Sequence, residues 1–265
     1  EKRMELLYER CCGIDVHKNM LMVCVFTGIR KKEIREFGTM TDDIMEIVKW
    51  LKETDCQVAA MESTGVYWKP VYNLFEQEGI HTIIVNAQHI KGVPGRKTDV
   101  KDAEWIAQLL QHGLLTNSFI PRKEIRPLRE ISRARRKLVQ NRATHLNRLE
   151  KSLQSHGFKL SSVVSNIVGT SGRKILNKLA EQGTLSLQDI ISCYNRRLRK
   201  TPEDIYEAVC GKLEEMDCLF LQAELEWLDC IDQQIDKLTE LMQKITKEFE
   251  AKVTILDTIP GIDEN

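Results

Sequence analysis

The hydrophobic pattern of the chain changes once, near Pro121, and this change constrains the possible folds more than any other feature. Before Pro121, short apolar runs typical of strands alternate with segments of helical spacing; after it, no strand-like alternation persists. The chain has 265 residues, of which 42% are hydrophobic, enough to bury a core in one or two domains. We therefore predict an α/β segment followed by an all-α segment.

The first segment predicts a mixed sheet flanked by helices. Strand-like runs cover residues 11–16, 20–27, 33–37, 57–61 and 81–85, and helical patterns begin at 41 and cover 66–77 and 99–111. Short turns between the first three strands favour antiparallel hairpins. The later alternation of strand and helix places helices against the sheet. The predicted domains are 1–120 for this sheet, 121–255 for a helical region and 256–265 for the start of a further domain. The last is predicted because the Pro260-Gly261 turn directly follows an apolar segment.

One apolar stripe in the helical region keeps nearly heptad spacing. Its members are Leu221, Leu225, Leu228, Ile231, Ile235, Leu238, Met242, Ile245 and Phe249. Their steps of three and four residues predict a coiled coil. An ordinary amphipathic helix packed on a core has the same pattern and stays open as the alternative.

Charge is distributed unevenly although the net formal charge is zero. Residues 121–160 contain twelve basic and three acidic residues, whereas 201–265 contain seventeen acidic and five basic ones. Steps of four and three residues place part of the basic block on one helical stripe, namely Arg122, Arg126, Arg129, Arg133 and Arg136. This stripe predicts a surface that binds a nucleic-acid backbone; a merely solvated helix face is the alternative.

Four acidic residues stand at positions that favour a metal site. Asp15 and Glu62 end predicted strands, and Asp99 and Asp102 lie three residues apart at the start of a predicted helix. If the first and fourth strands are neighbours, these carboxylates converge and repel one another unless a hard cation such as Mg²⁺ or Mn²⁺ binds between them. Helix capping and turn chemistry are the alternative roles of each acid taken alone. Basic residues that could neutralise a nucleic-acid backbone stand nearby, namely Lys18, Arg96, Lys97 and Lys101.

The remaining signals are weaker. The eight cysteines lack metal-ligand spacing and predict reduced thiols in a cytoplasmic protein, and neither a signal peptide nor a membrane span is evident. Tyr67 and Trp68 could stack on bases, but packing in the core is the better expectation for both. Ser63 lacks an adjacent general base and is expected to serve a turn.

Three separate motifs make the chain similar to the IS110 family of insertion-sequence transposases. They are Gly13-Ile14-Asp15-Val16-His17-Lys18; the run Met61-Glu62-Ser63-Thr64-Gly65-Val66-Tyr67-Trp68 with Val85-Asn86-Ala87; and Lys97-Thr98-Asp99-Val100-Lys101-Asp102-Ala103. The resemblance implies an RNase H-like (RuvC-like) domain with a DEDD acidic set at Asp15, Glu62, Asp99 and Asp102. It also implies a helical coiled-coil region.

The same resemblance implies an activity and partners. Members cleave and transfer DNA strands as site-specific recombinases that act on element ends and a target, guided by a structured RNA, and homo-oligomerise. Their C-terminal domain, which opens near a Pro-Gly motif, carries a catalytic serine that no residue of this sequence matches. We therefore expect this chain alone to be inactive in strand exchange.

Two other functions share these features. A stand-alone Holliday-junction nuclease of the RuvC type needs the acidic set and no further domain. A non-enzymatic nucleic-acid-binding or dimerisation fragment needs only the basic and helical regions. A sugar-kinase-like fold also begins with a Gly-Ile-Asp strand, but the glycine-rich phosphate loops are absent.

Overall fold

The structure, a computed structural model, describes residues 6–29, 31–63, 65–86, 99–196 and 198–260, and for residues 99–101 the backbone only. The chain divides into two compact units, Glu1–Pro121 and Arg122–Asn265. Within the described ranges, none of the helices is both long enough and apolar enough to cross a membrane.

The first unit is built on a five-stranded mixed sheet. Its strands are β1 (Arg10–Val16), β2 (Leu21–Thr27), β3 (Lys32–Phe37), β4 (Val58–Glu62) and β5 (Thr82–Val85). The spatial order is β3-β2-β1-β4-β5. β2 is antiparallel to both of its neighbours, whereas β1, β4 and β5 are parallel. This is the RNase H-like arrangement that the family resemblance implies, so the predicted fold class is confirmed.

Helices cover both faces of the sheet. They are α1 (Thr41–Glu53), α2 (Trp68–Gln77) and α3 (Asp99–Gln111). Alternate residues of each strand point to opposite faces. Ile14 and Met61 therefore pack with α1 and α2 in one apolar cluster, while Cys11 and Ala60 pack with α3 in another. The helices and strands begin and end within two residues of the predicted bounds.

The second unit is helical in the residues described. Its helices are α4 (Arg126–Ser155), α5 (Leu160–Val163), α6 (Thr170–Gln182), α7 (Leu187–Cys193), α8 (Pro202–Val209), α9 (Glu215–Thr246) and α10 (Glu250–Asp257), with a 3-10 turn at Lys247–Phe249. Phe158, which is 1% exposed, lies in an apolar core shared by the last turns of α4 and the first half of α9. The predicted fold class, a mixed sheet followed by a helical region, is confirmed.

Helices α4 and α9 pack against each other in antiparallel directions. Arg135 Nε donates to Thr239 Oγ1 over 2.8 Å, and Arg142 binds both carboxylate oxygens of Asp232 over 2.5 and 3.1 Å. The later arginine on α4, Arg142, contacts the earlier residue on α9, Asp232, so the two helices run in opposite directions. The residues of the heptad-like stripe differ in burial along α9 and the turn after it. The first four, Leu221 to Ile231, are buried, and those from Ile235 onward are half-buried.

Candidate functional site

Asp15 and Glu62 lie at the carboxyl ends of neighbouring parallel strands, on the same face of the sheet. The ladder between β1 and β4 pairs Gly13 with Ala60 and Ile14 with Met61, so each acid is the next residue after a paired position. Ile14 and Met61 face α1 and α2, and because side chains alternate, Asp15 and Glu62 face the side that α3 covers. The predicted adjacency of the first and fourth strands is confirmed.

Helix α3 brings Asp102 to the same end of β1. A Cβ atom built on Gly13 would lie 2.2 Å from the carbonyl oxygen of Ala103 and 2.4 Å from the backbone nitrogen of Ala107, so the helix backbone rests directly on this glycine. The Cys11 thiol donates to the carbonyl oxygen of Ala107 over 3.5 Å. The helix therefore runs opposite to β1, and its first turn lies at the carboxyl end of the strand.

The charges of Glu62 and Asp102 act on Asp15. Burial is the largest effect and raises the pKa of Asp15 above its ordinary value. His17 opposes this shift, since its Nε2 lies 2.8 Å from Asp15 Oδ2, and the charges of Asp102 and Glu62 raise the pKa further. The Asp15 side chain is 15% exposed and that of His17 is 49% exposed. Like charges gathered in a half-buried site are the arrangement that a bound cation would relieve.

The fourth acid of the predicted set is described only in part. Asp99 is the first residue of α3, but its side chain lies outside the described residues, as does that of Lys101. Arg96 and Lys97 also lie outside them. Among the side chains that the structure describes, no three His, Cys, Asp or Glu residues already stand in a metal-binding arrangement. Carboxylate oxygens are nevertheless the ligands that Mg²⁺ and Mn²⁺ prefer, so the chemistry of this donor set fits such an ion.

The segments around these acids differ in exposure. Lys18 is exposed in the turn after β1. Trp68 packs against the core and meets Tyr72 edge-on, with 5.8 Å between ring centroids, as expected. Tyr67 is 42% exposed and is not among the residues that pack with Trp68 in the apolar cluster, contrary to the expectation for it. It directly precedes α2 and follows a left-handed turn at Gly65, whose φ is 55°. No signal in the sequence separates these two aromatic residues.

Most arginines of the basic stripe, which begins at Arg122 just before α4, have no partner among the described residues. The side chains of Arg122, Arg129, Arg133 and Arg136 are exposed and make no hydrogen bond or ion pair with other described residues. Arg126, in contrast, is half-buried and has a partner within the chain. We call Arg129, Arg133 and Arg136 the α4 basic face.

Sequence reasoning missed a second group of arginines on α4 that have a structural role. Arg142 binds Asp232, and Arg148 Nη2 lies 3.6 Å from Glu224, which is 8% exposed. Both arginines pair with acids of helix α9, although the Arg148 side chain remains 60% exposed. The opposite net charges of residues 121–160 and 201–265 were the signal that could have identified this pairing.

Comparison with known proteins places these features in a family. A family model described as a transposase, of the DEDD type of IS110 elements, matches residues 12–158. A relative from Sinorhizobium fredii (strain NBRC 101917 / NGR234), named "Putative transposase y4qE", is 28% identical over 154 residues, which cover 56% of this chain and 40% of the relative. The chain thus spans well under half the length of the curated relative that it matches.

Two solved structures of the Thermus thermophilus protein RuvC are also similar to this chain. One has a TM-score of 0.30 and 14% identity and covers 40% of this chain and 93% of RuvC. The other, RuvC in complex with a Holliday junction substrate, has a TM-score of 0.30 and 11% identity and covers 41% of this chain and 99% of RuvC. The family model matches more than half of the sequence and includes the strands and the helix that carry the acids; this chain therefore belongs to the IS110 family of DEDD transposases.

Proposed function

We propose that this chain takes part in DNA strand cleavage and transfer as a transposase, with Asp15, Glu62, Asp99 and Asp102 holding Mg²⁺ or Mn²⁺ at a DNA phosphate. The observation that carries the proposal is the neighbourhood of Asp15, Glu62 and Asp102, in which the charges of the other two raise the pKa of the half-buried Asp15. A bound divalent ion would neutralise phosphate oxygens and stabilise the attacking and leaving oxygens.

The residues of the chain have distinct tasks in this proposal. The two strand-end carboxylates are held by a rigid parallel ladder, and Asp102 is held by a helix that rests on Gly13. This arrangement keeps the ligands in place before substrate binds, which lowers the free-energy cost of assembling the site. His17 holds Oδ2 of Asp15 through a contact of 2.8 Å from its Nε2.

The proposed nucleic-acid contact outside the acidic site is the α4 basic face. Three exposed arginines that have no partner among the described residues lie on one side of a long helix, a spacing suited to a phosphate backbone. Binding of DNA ends, target DNA and a guide RNA, together with self-association through the helical unit, belongs to this proposal. We also propose a cytoplasmic location. All eight cysteines are unpaired thiols, and burial raises the pKa of Cys11 and Cys24 to about 12, so both stay protonated.

A metal-binding measurement tests the acidic site. We expect isothermal titration with Mn²⁺ to show weaker binding for Asp15→Asn and for Asp102→Asn than for the unsubstituted chain. Asp42→Asn is the matched control, since Asp42 is an exposed acid in the first turn of α1 on the other face of the sheet. Equal Mn²⁺ affinity in all four proteins would refute the metal site and would favour a non-enzymatic nucleic-acid-binding role.

A further inference from the structure

The connection between α7 and α8 carries a dense basic run that is separate from the α4 basic face. Its sequence is Asn195-Arg196-Arg197-Leu198-Arg199-Lys200, and no acidic residue stands between Asp189 and Glu203. The side chains of Arg196, Arg199 and Lys200 are exposed. We call the described residues of this run, 195–196 and 198–200, the basic loop.

The basic loop is anchored at several points. The Leu198 backbone nitrogen donates to the carbonyl oxygen of Asn195 over 2.9 Å, and the Leu198 side chain packs on the core of the unit. Immediately after the loop, Thr201 caps α8: its Oγ1 accepts from the Asp204 nitrogen over 3.2 Å, while Asp204 Oδ2 accepts from the Thr201 nitrogen over 3.1 Å. The backbone is thus held while its cationic side chains remain in solvent.

The charges of the basic loop are not compensated by described residues. Arg196, Arg199 and Lys200 make no side-chain hydrogen bond or ion pair with any of them. The nearest acid before the loop, Asp189, is already bound: Lys178 Nζ donates to it over 2.8 Å, and that bond, followed by those from Ser186, lowers the pKa of Asp189.

Other cations of the same unit do have acidic partners. Arg142 pairs with Asp232, Arg173 pairs with Asp229, and Lys212 Nζ lies 3.1 Å from Glu214 Oε1. The basic loop therefore differs from these residues by its lack of neutralisation.

Exposed cations concentrated on one loop create a positive potential that attracts a polyanion. Guanidinium groups fit phosphate oxygens through paired hydrogen bonds. We propose that the basic loop binds the phosphate backbone of nucleic acid as a second contact of the helical unit. The choice of nucleic acid over an acidic protein rests on the proposed function, since the chain belongs to a transposase family.

The basic loop and the α4 basic face lie on different elements of the helical unit. The loop connects α7 to α8, whereas Arg129, Arg133 and Arg136 lie on α4. The two surfaces are thus expected to neutralise different phosphates, and their effects on binding are expected to add.

The salt dependence of binding tests the proposal. The loop variant combines Arg196→Gln, Arg199→Gln and Lys200→Gln in the full chain. The control variant combines Lys237→Gln, Lys244→Gln and Lys247→Gln, which removes the same charge from exposed positions of α9 and the turn after it, where acids alternate with the lysines. Binding to a fluorescent DNA duplex and to a single-stranded RNA is measured by anisotropy between about 50 and 200 mM salt.

We expect the slope of log K against log salt to fall in magnitude by about 2 to 3 for the loop variant on DNA, and by about 2 on RNA, with little change for the control. A fall on one probe alone would identify that nucleic acid as the one that the loop binds. If the loop variant melts below the control, Arg199→Gln alone is used, with an expected fall of about 0.9 on DNA.

Other outcomes would overturn the proposal. The proposal is refuted if the loop variant has the same slope of log K against log salt as the control variant. If substitution of the α4 basic face still weakens nucleic-acid binding in that case, the proposed function stands. A loss of salt-dependent self-association in the loop variant, without loss of nucleic-acid binding, identifies an acidic protein surface as the partner instead. Failure of the unsubstituted chain to bind either probe refutes the nucleic-acid part of the proposed function itself.

Discussion

Substitution of Gly13 by alanine tests how the acidic site is assembled. Gly13 lies on β1 two residues before Asp15, under the backbone of α3. The new methyl group would lie 2.2 Å from the Ala103 carbonyl oxygen and 2.4 Å from the Ala107 nitrogen. Both are backbone atoms, so no side-chain rotation relieves the overlap and the helix itself must move.

The size of the effect follows from these distances. Ordinary contact is near 3.5 Å, so α3 must retreat by roughly 1 Å. Overpacking of this kind costs about 1 to 3 kcal/mol, and we expect about 2 kcal/mol here because the helix also loses contact with the sheet. For a unit of this size the melting temperature would fall by roughly 8 °C.

Thermal unfolding followed by circular dichroism measures this loss, and Mn²⁺ titration measures the displacement of Asp102 from Asp15. Gly28→Ala is the matched control, since a Cβ there meets no atom within 4 Å. Both substitutions reduce the freedom of the unfolded chain equally, so their difference isolates the clash. If the Gly13→Ala and Gly28→Ala variants have the same melting temperature and the same Mn²⁺ affinity, the backbone of α3 does not contact Gly13 closely.

Three further substitutions test other parts of the structure by thermal unfolding. Asp15→Asn should raise the melting temperature at neutral pH without divalent ions, because burial raises the pKa of Asp15 and so disfavours its ionised form in the folded state. This gain in melting temperature should vanish at a pH below 3.8, the ordinary pKa of an aspartate, where the carboxyl is protonated in both states. A gain that persists at that pH would contradict the reasoning. Ser186→Ala should cost about 1 kcal/mol, because Ser186 Oγ accepts from the Asp189 nitrogen at the start of α7, and an unchanged stability would show that the cap is not needed. Phe158→Ala should cost about 3 to 5 kcal/mol in the helical unit, and a loss below about 1 kcal/mol would contradict its central place in the core.

Local pattern was sufficient to predict the elements of the first unit. Hydrophobic period and turn residues depend on neighbours in the sequence, so the strands, the helix from Asp99 and the change near Pro121 followed from the residues themselves. Position at a strand end likewise identified Asp15 and Glu62 as candidates, and the family motifs agreed.

Tertiary structure decided which side chains meet. The parallel pairing of β1 with β4 and the close seat of α3 on Gly13 join segments far apart in sequence, and no local period encodes such contacts. The same is true of Arg142, which the sequence places in a basic block and the fold binds to Asp232. Sequence determined the kinds of groups available, whereas long-range packing determined their partners, because pairing free energy depends on distance and burial that only the folded chain supplies.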